Sequence, residues 1–393
     1  MSISPTKRIG VIAGEVSGDY LGAELLKELN QQNPGIEYIG ICGELMKQQG
    51  CTSLYPMRTL SIIGYLEAFI KYIKIVRIRK RLIEFFLANP PDLFIGIDVP
   101  DFNLKLEKKL KKAGIPTVHY VSPTVWAWRS YRIHEIKKSV CHMLTLFPFE
   151  AEYYKRYKIP VTFVGHPLAD HFAVLKTQEE SKLGLGIAEG KKVFAILPGS
   201  RRNELRHHSL LLARTMKILH KNHPGCVFLV PLIGKKNRQI FKKALAKISV
   251  DTASTKLLDG NAHEAMSAAD MVILASGTAT LEAALLKKVM VVFYRLSWLS
   301  YTIIRLLSHV KLYSLPNNLV GYDLVPELIQ KNATPENIVK RVESLLDNEH
   351  YKQKASHEYD MIRKELKKNA SQGAARAVLQ ILNNKKDAEK NEQ

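Results

Sequence analysis

The feature that most restricts the fold of this chain is a series of short, unbroken aliphatic runs separated by stretches of helical periodicity. RIGVIA, IEYIGI, DLFIGID, TVHYVS, HMLTLF and VTFVG succeed one another in the first half. After a polar stretch from His171 to Gly190 the pattern restarts with KVFAILP, CVFLVP, KLLD, DMVILA and VMVVFY. Runs that are apolar at every position suit strands buried on both faces, and their alternation with helices suits parallel sheets. The chain therefore reads as α/β, with two doubly wound parallel-sheet domains. The first is expected over 1–170, a linker over 171–190 and the second over 191–350. Helices over 351–383 are expected to pack back toward the first domain, and 384–393 is polar enough to be a disordered tail.

With 393 residues, each domain is long enough to bury a full core. Lys and Arg number 58 against 37 Asp and Glu, a net charge of +21 that favours anionic partners such as nucleic acid, anionic lipid or phosphorylated substrates. Cys42, Cys51, Cys141 and Cys226 lie far apart, which suggests neither a zinc site nor a disulfide framework and fits a reducing cytoplasm. The apolar stretch after Lys7 and Arg8 is too short for a signal peptide. No apolar run approaches the ~18 residues that a spanning helix needs.

The turn GEVSGD, residues 14–19, joins a first strand to a first helix, where glycine-rich loops often cradle phosphate. Here it carries Glu15 and Asp19, which would repel an anion. SGTATLEAALL, residues 276–286, is a better cradle: Ser276, Gly277, Thr278 and Thr280 put N–H groups and hydroxyls at a helix start with no acid before Glu282. Glu282 is placed to accept hydrogen bonds from a ribose diol. A capped helix with an ordinary first-turn acid is the alternative. LPGSRRNEL sets Arg201 and Arg202 in a second strand-to-helix turn of the same domain, where a guanidinium matches phosphate oxygens. Together the two turns favour a nucleotide diphosphate.

In GIDVPDFN, Asp98 ends a strand and is a candidate general base, while Asp101 reads as a cap for the next helix. HYVSPTVWAWRSYR crowds two tryptophans into a loop, so that the segment packs into a cleft, against an apolar ligand, or as a buried structural loop. On a helical wheel, residues 65–88 carry two apolar arcs. Leu66, Phe69, Ile73, Val76 and Ile83 form one; Ile75, Ile78, Leu82, Phe85 and Phe86 form the other, with Lys74, Arg77 and Arg81 between them. One arc can cover the sheet. The second, flanked by cations, is expected to enter lipid, with a helix buried on two sides as the alternative. No G-x-G-x-x-G follows a strand and no P-loop or D-x-D pair occurs, which disfavours dinucleotide oxidoreductases, P-loop enzymes and metal-bound sugar nucleotides.

AGEVSGD, GIDVPDFN, HYVSPTVWAWR, FVGHP, LPGSRRNE, LLDG, ASGTATLE and SLPN at 314–317 occur in this order over nearly the whole chain. In them the chain resembles the lipid-A-disaccharide synthases, departing at Val16, where the family often has Ala, and at Asn318, where an apolar residue is usual. The resemblance implies a GT-B arrangement of two Rossmann-like domains with the active site in a cleft between them. It implies transfer of 2,3-diacylglucosamine from UDP to the 6-hydroxyl of 2,3-diacylglucosamine 1-phosphate, with inversion to a β linkage, on the cytoplasmic face of the inner membrane. Asp98 is then the catalytic base, and Arg201, Ser276, Gly277, Thr278, Glu282 and Asn317 hold UDP. Ser17, Asp19 and Trp126 serve the acceptor, and Lys74, Arg77, Ile78, Arg81 and Leu82 meet anionic lipid. Neither cofactor nor metal nor nucleic acid is called for, and a homodimer is admitted. Two alternatives stay open at this point: another UDP-sugar enzyme, such as a sugar 2-epimerase, and a nucleic-acid-binding protein suggested by the charge.

Overall fold

The structure is a computed structural model that describes residues 7–60, 68–171, 177–250, 253–296 and 312–391. It divides into two compact units, Met1–Asp170 with Leu366–Gln393, and His171–Glu365.

Unit 1 is built on β1 (Arg8–Ala13), β2 (Glu37–Ile41), β3 (Cys51–Ser53), β4 (Leu93–Ile97), β5 (Thr117–Tyr120), β6 (His142–Thr145) and β7 (Val161–Phe163). All pair in parallel, in the order β3-β2-β1-β4-β5-β6-β7. The intervening helices are α1 (Val16–Gln32), α2 (Glu44–Gln48), α3 (Ala68–Ala88), α4 (Pro100–Lys112), α5 (Ile133–Ser139), α6 (Pro148–Arg156) and α7 (Pro167–His171). On one sheet face Leu25, Leu26 and Leu29 of α1 join Ala370, Ala374, Val378 and Leu382 of the helix Ala370–Asn391 over Ile9, Val11 and Ile95. On the other, α3 and α4 bring Ile78, Leu82, Phe86, Phe102 and Leu106 onto Ile12 and Phe94.

That second layer corrects the lipid-facing reading of α3. Ile75, Ile78, Leu82 and Phe86 are buried in the core, so Ile78 and Leu82 do not face lipid. Lys74, Arg77 and Arg81 are exposed, and Ile73 of the other arc is 44% exposed. Leu66 lies outside the described residues, as does the side chain of Phe69. The wheel cannot tell the arcs apart, because both are apolar and only the sheet decides which turns inward.

Unit 2 repeats the plan with β8 (Val193–Leu197), β9 (Val227–Leu232), β10 (Thr255–Asp259), β11 (Met271–Ala275), β12 (Met290–Tyr294) and β13 (Glu327–Ile329). They are parallel in the order β10-β9-β8-β11-β12-β13. Its helices include α8 (Gln178–Gly184), α9 (Arg202–Asn222), α10 (Lys235–Ile248), α11 (Ala262–Ala268) and α12 (Ala279–Leu285). The stretch 171–190 holds more than a linker. A Thr177–Glu180 capping box starts α8, and Gln178 and Lys182 dock it on Asp270 at 2.7 and 3.1 Å. At the other end the helix Ala370–Asn391 continues through most of the expected tail, since its Ala, Glu and Lys are good helix formers. Residues 392–393, and side chains from 385 on, lie outside the described residues. Among the described residues no helix is long and apolar enough to cross a membrane.

Candidate active-site residues at two switch points

In both sheets the strand order reverses beside the first strand of the unit, between β1 and β4 and between β8 and β11. Crossovers leave such a pair toward opposite faces, which opens a crevice at the strands' carboxyl ends.

At the unit 1 switch point, β1 runs into Gly14 and β4 into Asp98. The two loops touch: a Cβ on Gly14 would lie 2.5 Å from Cγ2 of Val99. Asp98 and Val99 are both left-handed, with φ of +52° and +45°. Such backbone costs on the order of 1–3 kcal/mol per residue and is most unusual for a β-branched side chain. The turn is held by the Asp98 N–H donating to Tyr120 O at 2.9 Å and by the Asn103 amide donating to Asp98 O at 2.8 Å. Asp98 is half-buried, and its carboxylate makes no hydrogen bond or ion pair with a described residue.

Ser17 is exposed in the first turn of α1. Asp19 is not available to a ligand in the same way. It is 4% exposed, and its carboxylate accepts the N–H groups of Gly43, Leu45 and Met46 at 2.9, 3.1 and 3.2 Å. It therefore caps α2, where the helix dipole stabilises its charge, and this corrects its assignment to the acceptor. Asp101, by contrast, is not the cap that the sequence suggested. Val99 holds that position, and Asp101 pairs with Arg132 at 2.7 Å.

The loop after β5 carries Trp126, half-buried and packed edge-on against Phe149 with ring centroids 4.8 Å apart. Phe149 in turn stacks on Phe147. Trp128 donates to Thr124 Oγ1 at 3.1 Å and lies under the Arg129 guanidinium at 4.2 Å. Behind the loop sits Glu150, a buried acid that the motifs gave no cause to single out. Burial pushes its pKa up to about 8, against the pull of the Phe147 N–H, the Trp126 indole and the Ser122 hydroxyl.

At the unit 2 switch point, β8 opens into PGSRR. Gly199 has φ of +101°, and a Cβ there would meet Glu204 Oε2 at 2.5 Å. Glu204 accepts the Arg201 N–H at 3.2 Å and the Tyr294 hydroxyl at 3.1 Å, which sets the start of α9. The Arg201 side chain is 82% exposed, and among the described residues its one ion-pair partner is Glu204 Oε1 at 3.5 Å. Sequence reasoning missed His208, fully buried on α9. Burial lowers its pKa, so that Nδ1–H donates to Pro198 O at 2.8 Å and Nε2 accepts the Arg295 N–H at 3.2 Å. The ring ties the Arg201 loop to the end of β12. Its neighbour His207 is exposed, and nothing in RHH distinguishes the two.

From β11, Ser276 donates its hydroxyl to Tyr313 O at 2.7 Å and its N–H to Phe293 O at 3.2 Å. Both of its donors are engaged, which corrects its reading as a phosphate donor. Gly277 and Thr278 are exposed, and their N–H groups donate to no described residue. Glu282 is half-buried, its carboxylate has no hydrogen-bond partner among the described residues, and burial raises its pKa. Asn317 is fully buried with its amide committed: it donates to Val325 O at 2.9 Å and Glu327 Oε1 at 2.8 Å, and accepts the Val325 N–H at 2.7 Å. It closes the loop after its helix, which corrects the expectation that it contacts UDP.

Two doubly wound units with loops gathered at their switch points define a two-domain glycosyltransferase fold of the GT-B type. UDP-GlcNAc 2-epimerase from Neisseria meningitidis, solved bound to UDP-GlcNAc, shares it at a TM-score of 0.63 and 13% identity, over 95% of this chain and 99% of that one. Acinetobacter baumannii MurG does so at 0.56 and 15%, over 96% and 100%. A sequence profile of the lipid-A-disaccharide synthetases matches residues 9–381. Lipid-A-disaccharide synthase of Methylobacillus flagellatus is 42% identical over 95% of this chain and 99% of the relative, and that of Aeromonas hydrophila 44% over 95% and 98%. The chain belongs to the lipid-A-disaccharide synthase family and is a glycosyltransferase. Membership sets aside the epimerase reading.

Proposed function

We propose that this glycosyltransferase moves 2,3-diacylglucosamine from UDP to the 6-hydroxyl of 2,3-diacylglucosamine 1-phosphate, with Asp98 as the general base. The observation that carries the assignment is a carboxylate with no partner among the described residues, on strained backbone at the unit 1 switch point. Asp98 takes the hydroxyl proton as O6 bonds to the donor C1. The bond from C1 to the diphosphate oxygen breaks, the configuration inverts, and UDP leaves as an anion. Arg201 and the free N–H groups of Gly277 and Thr278 meet that charge, while Glu282 accepts the ribose hydroxyls. Ser17 and Trp126 border the acceptor, with Asp19 supporting the loop from inside. The exposed Lys74, Arg77 and Arg81 beside Ile73 suit attraction to anionic lipid, holding the enzyme on the cytoplasmic face of the inner membrane.

The test uses purified protein, both acylated sugars and mass spectrometry of the product. The parent should yield the disaccharide 1-phosphate. Asp98→Asn should lose about 10²–10⁴ in rate with UDP affinity unchanged by calorimetry. No disaccharide from the parent refutes the reaction, and full turnover by Asp98→Asn removes it as the base.

A further inference from the structure

Beneath the Asp98 turn lies a buried polar cluster that the transfer itself does not use. Asn103 on α4 is fully buried, and its Nδ2 faces three carbonyls at the carboxyl ends of β1 and β4: Asp98 O at 2.8 Å, Ile12 O at 3.3 Å and Ile97 O at 3.4 Å. One turn along α4, the equally buried Glu107 lies 2.7 Å from Nδ1 of His119, itself fully buried on β5. Gly96 of β4 leaves the room this needs. A Cβ there would collide with Glu107 Oε1 and lie 2.9 Å from Asn103 Cβ.

The cluster is a costly way to fill a core. Asn103 Oδ1, Glu107 Oε2 and His119 Nε2 find no partner among the described residues, and burial raises the Glu107 pKa. Packing alone would be served by apolar side chains of the same size. What the polar version supplies is a directional hold on the strand-end carbonyls, shortest to that of Asp98, whose left-handed backbone would otherwise relax.

We infer that Asn103 is a positioning residue for Asp98, itself braced by the Glu107–His119 pair wedged over Gly96. This rests on the reading of Asp98 as the base. With the amide in place, the Asp98–Val99 turn keeps its shape and the carboxylate stays without a partner among the described residues. Without it, the turn relaxes and the base moves off its line to the hydroxyl.

The experiment is a double-mutant cycle on purified full-length protein. Asn103→Ala and the isosteric Asn103→Asp, which sets an acceptor against three carbonyls, should each lower kcat roughly 10²-fold, the usual cost of a misplaced group. The donor KM and UDP affinity should stay within about twofold. In the Asp98→Asn background, Asn103→Ala should cost nothing further, because residues that act as a unit are not additive. Losses that multiply across the cycle overturn the inference while leaving Asp98 as the base, as would a parental kcat in Asn103→Ala. A parental rate in Asp98→Asn overturns both. Should Ala and Asp variants fail to fold by circular dichroism, Asn103→Ser, with a smaller donor, enters the same cycle.

Discussion

Replacing Glu150 with Gln should stabilise the protein at neutral and alkaline pH, and the gain should disappear in acid. Burial raises the pKa of this carboxyl from 4.5 to about 8. The unfolded chain therefore ionises it above pH 4.5, while the folded chain keeps the proton until about pH 8. The stability contributed by the neutral acid is complete below the lower value and is lost as pH rises through the window between them. At about 1.4 kcal/mol per unit, the full window is worth up to about 5 kcal/mol, and roughly 3 kcal/mol of it is gone by pH 7. Gln has the shape of the neutral acid, and its carbonyl can take over the Phe147 N–H that Oε2 now accepts at 3.3 Å. With no proton to lose, Glu150→Gln should match the parent near pH 4 and exceed it by roughly 3 kcal/mol near pH 7. Urea denaturation of both proteins across that range, followed by circular dichroism, measures the difference, and shifts from other titrating groups cancel between them. A difference that stays flat with pH would mean that Glu150 ionises normally in the fold. A variant weaker at pH 8 would mean that the loop needs the negative charge.

His166 should act with the opposite sign. Burial lowers its pKa to about 4 from 6.5, so its contribution is present above 6.5 and lost as pH falls toward 4, by roughly 3 kcal/mol. His166→Gln should flatten that acid limb in the same denaturation series, and an unchanged limb would place the effect elsewhere. Leu82→Ala should cost about 2–5 kcal/mol, as expected for a fully buried leucine, whereas reversing Lys74, Arg77 and Arg81 to Glu should abolish sedimentation with anionic vesicles at unchanged stability. Vesicle binding that survives the reversal would exclude this face of α3 from the membrane. Arg201→Ala should weaken UDP binding by about 1.5–3 kcal/mol in calorimetry, the range of a charge-assisted hydrogen bond, and a parental Kd would remove Arg201 from the cradle.

The sheet framework was legible because parallel strands buried on both faces leave continuous aliphatic runs: each of the eleven strands expected from them falls on a strand. Two of the four edge strands among the described residues, Cys51–Ser53 and Glu327–Ile329, were not, since CTS is largely polar and ELI offers only two apolar residues after an acid. Polar residues in the motifs were harder to read. Asp98, Asp19 and Asn317 all stand in motif segments, yet the first has no side-chain partner among the described residues and the other two are bound up in backbone hydrogen bonds. A sequence records that an acid stands after a strand. Whether a distant helix start, such as that of Glu44–Gln48, consumes its oxygens depends on tertiary structure. The same holds for Glu107 and His119, which meet only because α4 lies over β5.

Unit 1 is closed by the last helix of the chain, whose Ala370, Ala374, Val378 and Leu382 lie in its core. The whole of unit 2 is thus an insertion in the sequence of unit 1. On a ribosome making about 5–20 residues per second, the first sheet would wait roughly 10–40 s for its covering helix while residues 171–365 emerge. During that interval the cluster of Leu25, Leu26 and Leu29 lacks Ala370, Ala374, Val378 and Leu382, a surface open to chaperones and to self-association. The second unit, continuous in sequence, can finish first. A chain cut short before residue 370 would keep every residue assigned to the chemistry and still be unable to complete the domain that carries Asp98.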